Sequence, residues 1–340
     1  MVANLANLLS DLSTDEPIAW RRVRIIPLRL RTMADLEYLT LDDSMPESLI
    51  VVEETSASGS VPELQVRNRA RSRVFIPEGS TLTGAKQNRV VNLSVMVAPE
   101  SVTVIPVSCV ERGRWRSLSS HFGYGAFADS PLRSMMCAGA TASLKRTGKV
   151  HVDQGAVWSH VDAMLENAGA GSPTQAYHAI YEKWHQELAD YEVRLPAPDN
   201  ACGVAVEIDG TLEAVDLFDK PNTLRKLWPK LVRSYLLTAL RPEARRGSKT
   251  DVKGFLERVL SSTGESHETV GIGTTIRLTN PEAVGAVLVC DDRLVHMSLF
   301  ANGAGEQHKD VTPVPQTQAS QPEGVPESAQ CRRPWWKFWV

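Results

Sequence analysis

The segment of this sequence best suited to bind a ligand is the polar string Gly84-Ala85-Lys86-Gln87-Asn88-Arg89. A glycine lets backbone N–H groups approach a ligand closely, while Lys86 and Arg89 supply a point charge and a bidentate fork for an anion. Gln87 and Asn88 add amide donors and acceptors. This combination suits a phosphate, a carboxylate or a nucleotide.

The string has a structural alternative. It could be a polar turn between two strands, with Arg89 paired to Glu63 or Glu111. It does not match a phosphate-binding loop, which needs a glycine-rich run before Lys-Ser/Thr and a following helix. Arg112 and Arg114 follow a predicted strand, and they would complete an anion site if they faced the same cleft. Otherwise they belong to a solvated strand end.

Catalysis would need a general acid or base near these cations. The candidate carboxylates are Glu63, Glu78 and Glu111. With them the protein would be a hydrolase or transferase acting on the bound ligand. Cys109 could be a nucleophile, but it alternates in phase with Ile105 and Val107, which favours a buried thiol on the apolar face of a strand.

Neither a metal site nor a cofactor is predicted. His178, Glu182 and His185 share one face of a predicted helix, but they do not form the HExxH pattern, so a solvated face is favoured. His296 lies in an apolar strand and is expected to be a satisfied structural histidine. The five cysteines include no Cys-x-x-Cys pair, so reduced thiols in a cytoplasmic protein are expected.

The charge of the chain bears on its partners. A formal net charge of -3 argues against a nonspecific nucleic-acid binder. One helix and the loop after it are locally basic, through Lys226, Lys230, Arg233, Arg241, Arg245, Arg246 and Lys249. Most such stripes are the solvated face of a helix, so nucleic acid is an unlikely partner.

The C-terminal residues differ in composition from the rest. Residues 302–331 are polar and contain four prolines, which predicts a disordered linker. The tag at 332–340 combines cations with aromatic side chains, namely Arg332, Arg333, Trp335, Trp336, Lys337, Phe338 and Trp339. Such a tag suits the inner membrane surface, where each cation adds about 1 kcal/mol, or a groove on a protein partner. The sequence leaves these alternatives open.

The elements that position these residues are predicted to form an α+β fold. Residues 1–18 indicate a short helix, and residues 19–118 contain short strands typical of an antiparallel sandwich or barrel-like sheet. Residues 119–200 are a helical segment, and residues 201–301 form an α+β subdomain. The predicted helices of the middle segment are Met135 to Arg146, Gln154 to Ala168 and Pro173 to Tyr191.

Two similar segments lie in the C-terminal part of this body. Gly203 to Phe218 and Gly285 to Phe300 have five identities at an offset of 82 residues. The first contains an Asp-Gly pair between alternating runs, a strong hairpin signal. We expect two hairpins that pair into one sheet about a pseudo-twofold axis. The helix predicted between them, Pro221 to Leu240, contains Pro229, which is expected to kink or split it.

Three parts of the chain resemble a known family. They are the strings VPELQVRN and GAKQNRVVN between Gly59 and Asn92, IPVSCVERGRW at Ile105 to Trp115, and the segment from Gly203 to Leu240. They are similar to the ARPP domain, an uncharacterised bacterial family named for its association with ADP-ribosylglycohydrolases and rhodanese-phosphatases. The resemblance covers residues 20 to 301 and leaves out the linker and the tag.

The resemblance implies an operon-level link to ADP-ribose or phosphate metabolism, or to defence systems, without an established activity. Together with the polar string, it favours a protein that binds an anionic small molecule, such as a nucleotide or an ADP-ribose derivative. A hydrolase or transferase acting on that ligand is one alternative. An interaction protein recruited through its tag is the other.

Overall fold

Eighteen strands and eight helices occur in the residues that the structure, a computed structural model, describes: 5–33, 36–56, 59–60, 62–241 and 250–302. These residues belong to one unit that ends at Glu306. The strands are β1 Leu12–Thr14, β2 Ile18–Trp20, β3 Val23–Leu30, β4 Tyr38–Thr40, β5 Ile50–Glu54, β6 Glu63–Asn68, β7 Arg73–Ile76, β8 Ser80–Gly84, β9 Arg89–Val91, β10 Val95–Val97, β11 Ser101–Cys109, β12 Phe122–Phe127, β13 Gly203–Ile208, β14 Thr211–Phe218, β15 Glu265–Glu268, β16 Thr274–Thr279, β17 Ala283–Cys290 and β18 Arg293–Ala301. The helices are α1 Leu5–Asp11, α2 Leu41–Ser44, α3 Ser130–Thr147, α4 Gln154–Ala168, α5 His178–Lys183, α6 His185–Arg194, α7 Pro221–Ala239 and α8 Val252–Leu260. The predicted α+β class is confirmed.

Six strands of the N-terminal part form an antiparallel sheet in the order β12-β8-β9-β11-β6-β5. The long strand β11 holds it together, since its first part pairs with β6 and its end pairs with β9. The edge strands β5 and β12 also lie next to each other. The sheet therefore curls almost into a barrel, which we call the six-stranded barrel, and aliphatic side chains fill its interior.

The two C-terminal hairpins lie in a nine-stranded sheet, in the order β1-β3-β13-β14-β18-β17-β16-β15 with β2 beside β3. They pair through β14 and β18, as predicted, and Asp216 lies opposite Ser298. These two residues are equivalent in the 82-residue repeat, so the pseudo-twofold axis passes between them. Both hairpin turns have two consecutive residues with positive φ, as a type I′ turn requires.

A third sheet, β10-β7-β4, connects the other two. Its β4–β7 pair is parallel, unlike every other strand pair among the described residues. Phe75 of β7 packs its ring against Phe218 and His296 of the nine-stranded sheet. The three sheets thus share one core, into which α3 and α7 also pack.

Most helices follow the sequence signals, but several bounds differ, and Pro229 does not split its helix. Helix α4 has the predicted bounds, and α3 begins earlier than predicted because Asp129 caps it by accepting a hydrogen bond from the Leu132 N–H. The helix predicted from Pro173 begins only at His178. Gln175 has a φ of 51°, a left-handed conformation that a right-handed helix cannot contain. Helix α7 continues through Pro229.

No helix among the described residues is long and apolar enough to cross a membrane. The predicted linker from residue 303 onward, the tag at 332–340 and residues 242–249 of the basic loop lie outside the described residues.

Candidate functional site

One end of the six-stranded barrel is polar where the rest of its interior is apolar. Alternate residues of a strand point to the same side, so Glu54, Arg89 and Cys109 continue the inward-facing rows of β5, β9 and β11. Arg89 and Cys109 are direct partners across β9 and β11. The aliphatic residues next to them in these rows are Ile50, Val52, Val91 and Val107.

Arg89 is the most deeply buried cation of this end, with 0% of its surface exposed. Its Nη1 donates to Gln87 Oε1 at 3.0 Å, and the Cys109 thiol donates to the same oxygen at 3.2 Å. The Nε and Nη2 atoms of Arg89 have no hydrogen-bond partner within the described part of the chain. Burial lowers the pKa of the Arg89 guanidinium, because desolvation disfavours its charge.

Glu54 is the carboxylate nearest to these free donors. Its Oε1 lies 3.9 Å from Arg89 Nη2, which is too far for a direct hydrogen bond. Both of its oxygens are buried without a hydrogen-bond partner among the described residues. Buried polar atoms are nearly always hydrogen-bonded, so four unsatisfied atoms in two facing side chains mark this end of the barrel as a candidate ligand site.

The rim of this end is both cationic and aromatic. Lys86 Nζ lies 5.4 Å from the centre of the Trp115 ring, and the Arg89 guanidinium carbon lies 5.9 Å from it. The side chains of Trp115 and Leu118 are 49% and 64% exposed. We call Glu54, Lys86, Gln87, Arg89 and Trp115 the barrel-end cluster.

An open pocket of about 510 Å³ adjoins the barrel-end cluster. Glu54 and Lys86 line it together with Glu53 and Leu118. Part of its wall consists of hydroxyl side chains, which are Ser56, Ser117, Ser119 and Ser120. The pocket thus combines one cation, two carboxylates, several hydroxyl groups and one exposed aliphatic side chain.

A buried ion pair fixes the loop that carries Lys86 and Gln87. Arg114 binds both carboxylate oxygens of Glu111, at 2.9 and 2.5 Å. Its remaining N–H groups donate to the carbonyl oxygens of Gly84, Ala85 and Arg116 and to the Asn88 side chain. Arg114 therefore has no donor left for a ligand, and its hydrogen bonds stabilise the loop.

Glu111 completes this support. It also accepts hydrogen bonds from the Asn88 N–H at 3.1 Å and the Thr174 hydroxyl at 2.7 Å. Burial alone would raise the pKa of Glu111, but the hydrogen bonds from Arg114 and Thr174 outweigh it and hold the pKa below its ordinary value. A saturated carboxylate of this kind stabilises the loop and is a poor proton carrier.

The loop also depends on a glycine. Gly84 has a φ of 113°, and a Cβ there would lie 2.6 Å from the Ser119 hydroxyl oxygen. The glycine therefore allows the chain to turn out of β8 beside the pocket wall.

The remaining predicted site residues lie elsewhere. Arg112 stacks on Trp158 at 5.2 Å and lies 3.7 Å from Asp162, both on helix α4. Glu63 is exposed at the start of β6. Glu78 is buried in a different network, where it accepts a hydrogen bond from the Ser298 hydroxyl. The structure thus brings Lys86, Gln87 and Arg89 together without these three side chains.

Glu54 was not among the site residues predicted from the sequence. The signal was its phase, since Ile50, Val52 and Glu54 alternate along one strand and a carboxylate in an apolar row is unusual. Only the closure of the barrel shows that this row ends beside Arg89.

A second buried polar cluster is centred on Asp216. Arg133 donates to its two oxygens at 2.9 and 2.5 Å, His296 Nε2 lies 3.1 Å from it, and the Tyr235 hydroxyl also donates to it. His296 Nδ1 lies 2.8 Å from Ser94 Oγ, so both ring nitrogens are satisfied, as predicted. The order Ser-His-Asp resembles a hydrolase triad, but all these groups are buried, so the cluster joins the sheets to α3 and α7.

The basic stripe of α7 is paired with acidic residues of the protein. Lys226 lies 2.8 Å from Asp43, Lys230 contacts Asp42, and Arg233 contacts Glu192. These pairs tie α7 to α2 and α6. Among the described residues, no group of three or more His, Cys, Asp or Glu is arranged to hold a metal ion.

Comparison with known proteins identifies the family. A family profile described as ARPP-1, the ARG and Rhodanese-Phosphatase-superfamily-associated Protein domain, matches residues 11–300. Searches of curated proteins and of solved structures gave no match. The match covers most of the chain and includes both hairpins and the barrel-end cluster. The chain therefore belongs to the ARPP-1 family, which confirms the resemblance of its sequence motifs.

Proposed function

We propose that the protein binds an anionic small molecule of the nucleotide or ADP-ribose type at the barrel-end cluster. The observation that carries this proposal is Arg89, a fully buried guanidinium with two nitrogens that have no hydrogen-bond partner in the described structure. A buried arginine without full pairing costs free energy, and an anionic ligand would offset that cost.

The surroundings of Arg89 support a negatively charged ligand with an aromatic part. Within the barrel-end cluster, Arg89 and Lys86 carry two positive charges and Glu54 carries one negative charge, while Glu53 of the adjoining pocket contacts Gln65 and Arg67. Coulombic attraction is stronger in a partly buried site than in water, so this excess is effective there. The exposed ring of Trp115 offers a face on which a base could stack. The adjoining pocket, at about 510 Å³, falls in the size range of small-molecule sites.

The family description supports the same class of ligand. Its name associates the domain with ARG and the rhodanese-phosphatase superfamily. A protein that accompanies such enzymes is expected to bind a molecule of the kind that they handle.

The test is calorimetric titration of the full chain with ADP-ribose, nucleoside mono-, di- and triphosphates, and pyrophosphate. We expect at least one of them to bind. Lys86→Ala and Trp115→Ala should each weaken binding about fivefold or more, because a charged hydrogen bond contributes roughly 1.5–3 kcal/mol and a stacked base roughly 1–3 kcal/mol. Both side chains lie at the rim of the site, so these variants should fold.

Two matched controls accompany these variants. Arg112→Ala removes a neighbouring cation that stacks on Trp158, outside the cluster, and Lys253→Ala removes an exposed lysine of α8. Neither should change the affinity. The proposal fails if the wild-type protein binds none of the ligands, or if Lys86→Ala and Trp115→Ala bind like the controls.

A further inference from the structure

We infer that Glu54 determines the specificity of this site and selects a ligand that carries a hydrogen-bond donor next to an acceptor, such as the edge of a nucleobase, over a bare phosphate. The inference rests on the proposed function and specifies which part of the ligand the protein recognises. Glu54 would act by contact with the ligand, as a binding residue.

The geometry presents donors and acceptors side by side. Within the described part of the chain, Arg89 retains two nitrogens and Glu54 retains two oxygens without hydrogen-bond partners, with 3.9 Å between Arg89 Nη2 and Glu54 Oε1. A ligand edge with an acceptor and a donor in a row can satisfy both side chains. Adenine offers such a pair, and so does an amide. A phosphate offers only acceptors, so it satisfies Arg89 and leaves the carboxylate of Glu54 opposed by a like charge.

The backbone fixes the position of Glu54. It is the last residue of β5 and lies opposite Leu64 of β6, so its side chain cannot leave the inward-facing row without a change of register. Only 11% of the side chain is exposed. A buried acceptor held in this way discriminates strongly, because a ligand that lacks the donor leaves the acceptor unpaired.

Gly59 keeps Glu54 and Lys86 next to each other. A Cβ at this glycine would lie 3.3 Å from Glu54 Oε2 and 3.1 Å from Lys86 Cδ. Both side chains therefore border the same point of the site. A nucleotide bound there would direct its base edge to Glu54 and Arg89, while its phosphate would contact Lys86 at the rim.

The experiment compares a base-bearing ligand with its bare phosphate. We would titrate the full chain with the four common nucleoside diphosphates and with inorganic pyrophosphate. For the wild-type protein, at least one nucleoside diphosphate should bind tenfold or more tightly than pyrophosphate. For Glu54→Gln, which removes the charge and replaces one of the two acceptors by a donor, this ratio should fall severalfold through weaker binding of the nucleotide and unchanged or tighter binding of pyrophosphate.

Glu63→Gln is the matched control. Glu63 is an exposed glutamate at the start of the neighbouring strand β6 and does not belong to the pocket lining, so its substitution should leave the ratio unchanged. Circular dichroism and the urea midpoint would establish that both variants fold.

The possible outcomes separate the two proposals. A wild-type protein that binds none of these ligands refutes the proposed function and this inference with it. If the wild-type protein binds, but Glu54→Gln weakens nucleotide and pyrophosphate by the same factor, the inference is wrong and the proposed function stands. The wild-type measurement is also decisive without any variant, because pyrophosphate that binds as tightly as every nucleoside diphosphate contradicts selection by Glu54.

Discussion

Replacing Asp216 by asparagine should cause a large loss of stability. The substitution keeps the volume of the side chain but removes the carboxylate that, among the described residues, pairs with the guanidinium of Arg133, which has no exposed surface. Removing one partner of a buried pair costs roughly 3–5 kcal/mol, because the other charge remains buried without compensation. At this chain length, that corresponds to a decrease of roughly 6–10 °C in Tm.

The same contacts determine the pH at which the loss appears. Burial alone would raise the pKa of Asp216, but the charge of Arg133 and the hydrogen bond from His296 hold it well below its ordinary value. A carboxyl group with a lowered pKa stabilises the fold above its unfolded-state pKa, and this contribution disappears as the pH falls through its folded-state value. The difference between wild type and Asp216→Asn should therefore be complete at pH 7 and shrink in acid.

Urea and thermal unfolding, followed by circular dichroism, would measure this difference. Glu282→Gln is the control, because Glu282 pairs with Arg258 at the surface, where the midpoint should not change measurably. A double-mutant cycle with Arg133→Met tests the mechanism, since the double variant should lose less stability than the sum of the two single variants. A decrease of less than about 1 kcal/mol in the free energy of unfolding for Asp216→Asn would contradict the expected cost of an unpaired buried charge. Strictly additive losses in the cycle would show that Asp216 and Arg133 do not stabilise each other.

Three further predictions concern other parts of the fold. Burial raises the pKa of Asp219 from 3.8 to about 6, although the hydrogen bond from Tyr38 opposes this shift. The free energy of unfolding should therefore decrease by roughly 3 kcal/mol as the pH rises from about 4 to about 6. In urea unfolding, Asp219→Asn should show a smaller decrease over the same pH range. Gly203→Ala should destabilise the protein by roughly 1–3 kcal/mol in urea unfolding, because its Cβ would lie 2.3 Å from the Asp216 carbonyl oxygen. Gly171→Ala is the control and should be neutral, since a Cβ there has no described atom within 4 Å. Four thiols of the described residues are buried, namely Cys109, Cys137, Cys202 and Cys290. In a Cys331→Ser variant, they should react with Ellman's reagent only when urea unfolds the protein. Rapid reaction under native conditions would contradict their burial.

Local sequence signals predicted much of the secondary structure. The Asp-Gly pair of the first hairpin produced the expected turn, since few residue pairs tolerate two positive φ angles in succession. The 82-residue repeat predicted that the two hairpins pair. Helix α4 has the predicted bounds because Asp153 caps its start and Gly169 adopts the left-handed conformation at its end. The Pro173 helix was wrong in its start, since nothing local in the sequence forces Gln175 into a left-handed conformation.

The candidate site was only partly predictable. The composition of the polar string identified Lys86, Gln87 and Arg89. It did not show that all N–H groups of Arg114 donate within the protein, or that Arg112 lies against α4. Alternation along a strand states which residues share a face. It does not indicate which strands become neighbours in the sheet. The neighbouring strands determine the partner of every inward-facing charge.

Hydrophobic periodicity, turn residues and motifs are local properties of the chain, so they were sufficient to predict the fold class, the hairpins, most helices and the family. The pairing of the buried charges, in contrast, depends on tertiary contacts. Glu54 faces Arg89 because β5 and β9 lie in one curled sheet, and Arg133 meets Asp216 because α3 packs on the nine-stranded sheet. Such encounters depend on contacts between residues far apart in the chain, and the barrel-end cluster exists only once those contacts have formed.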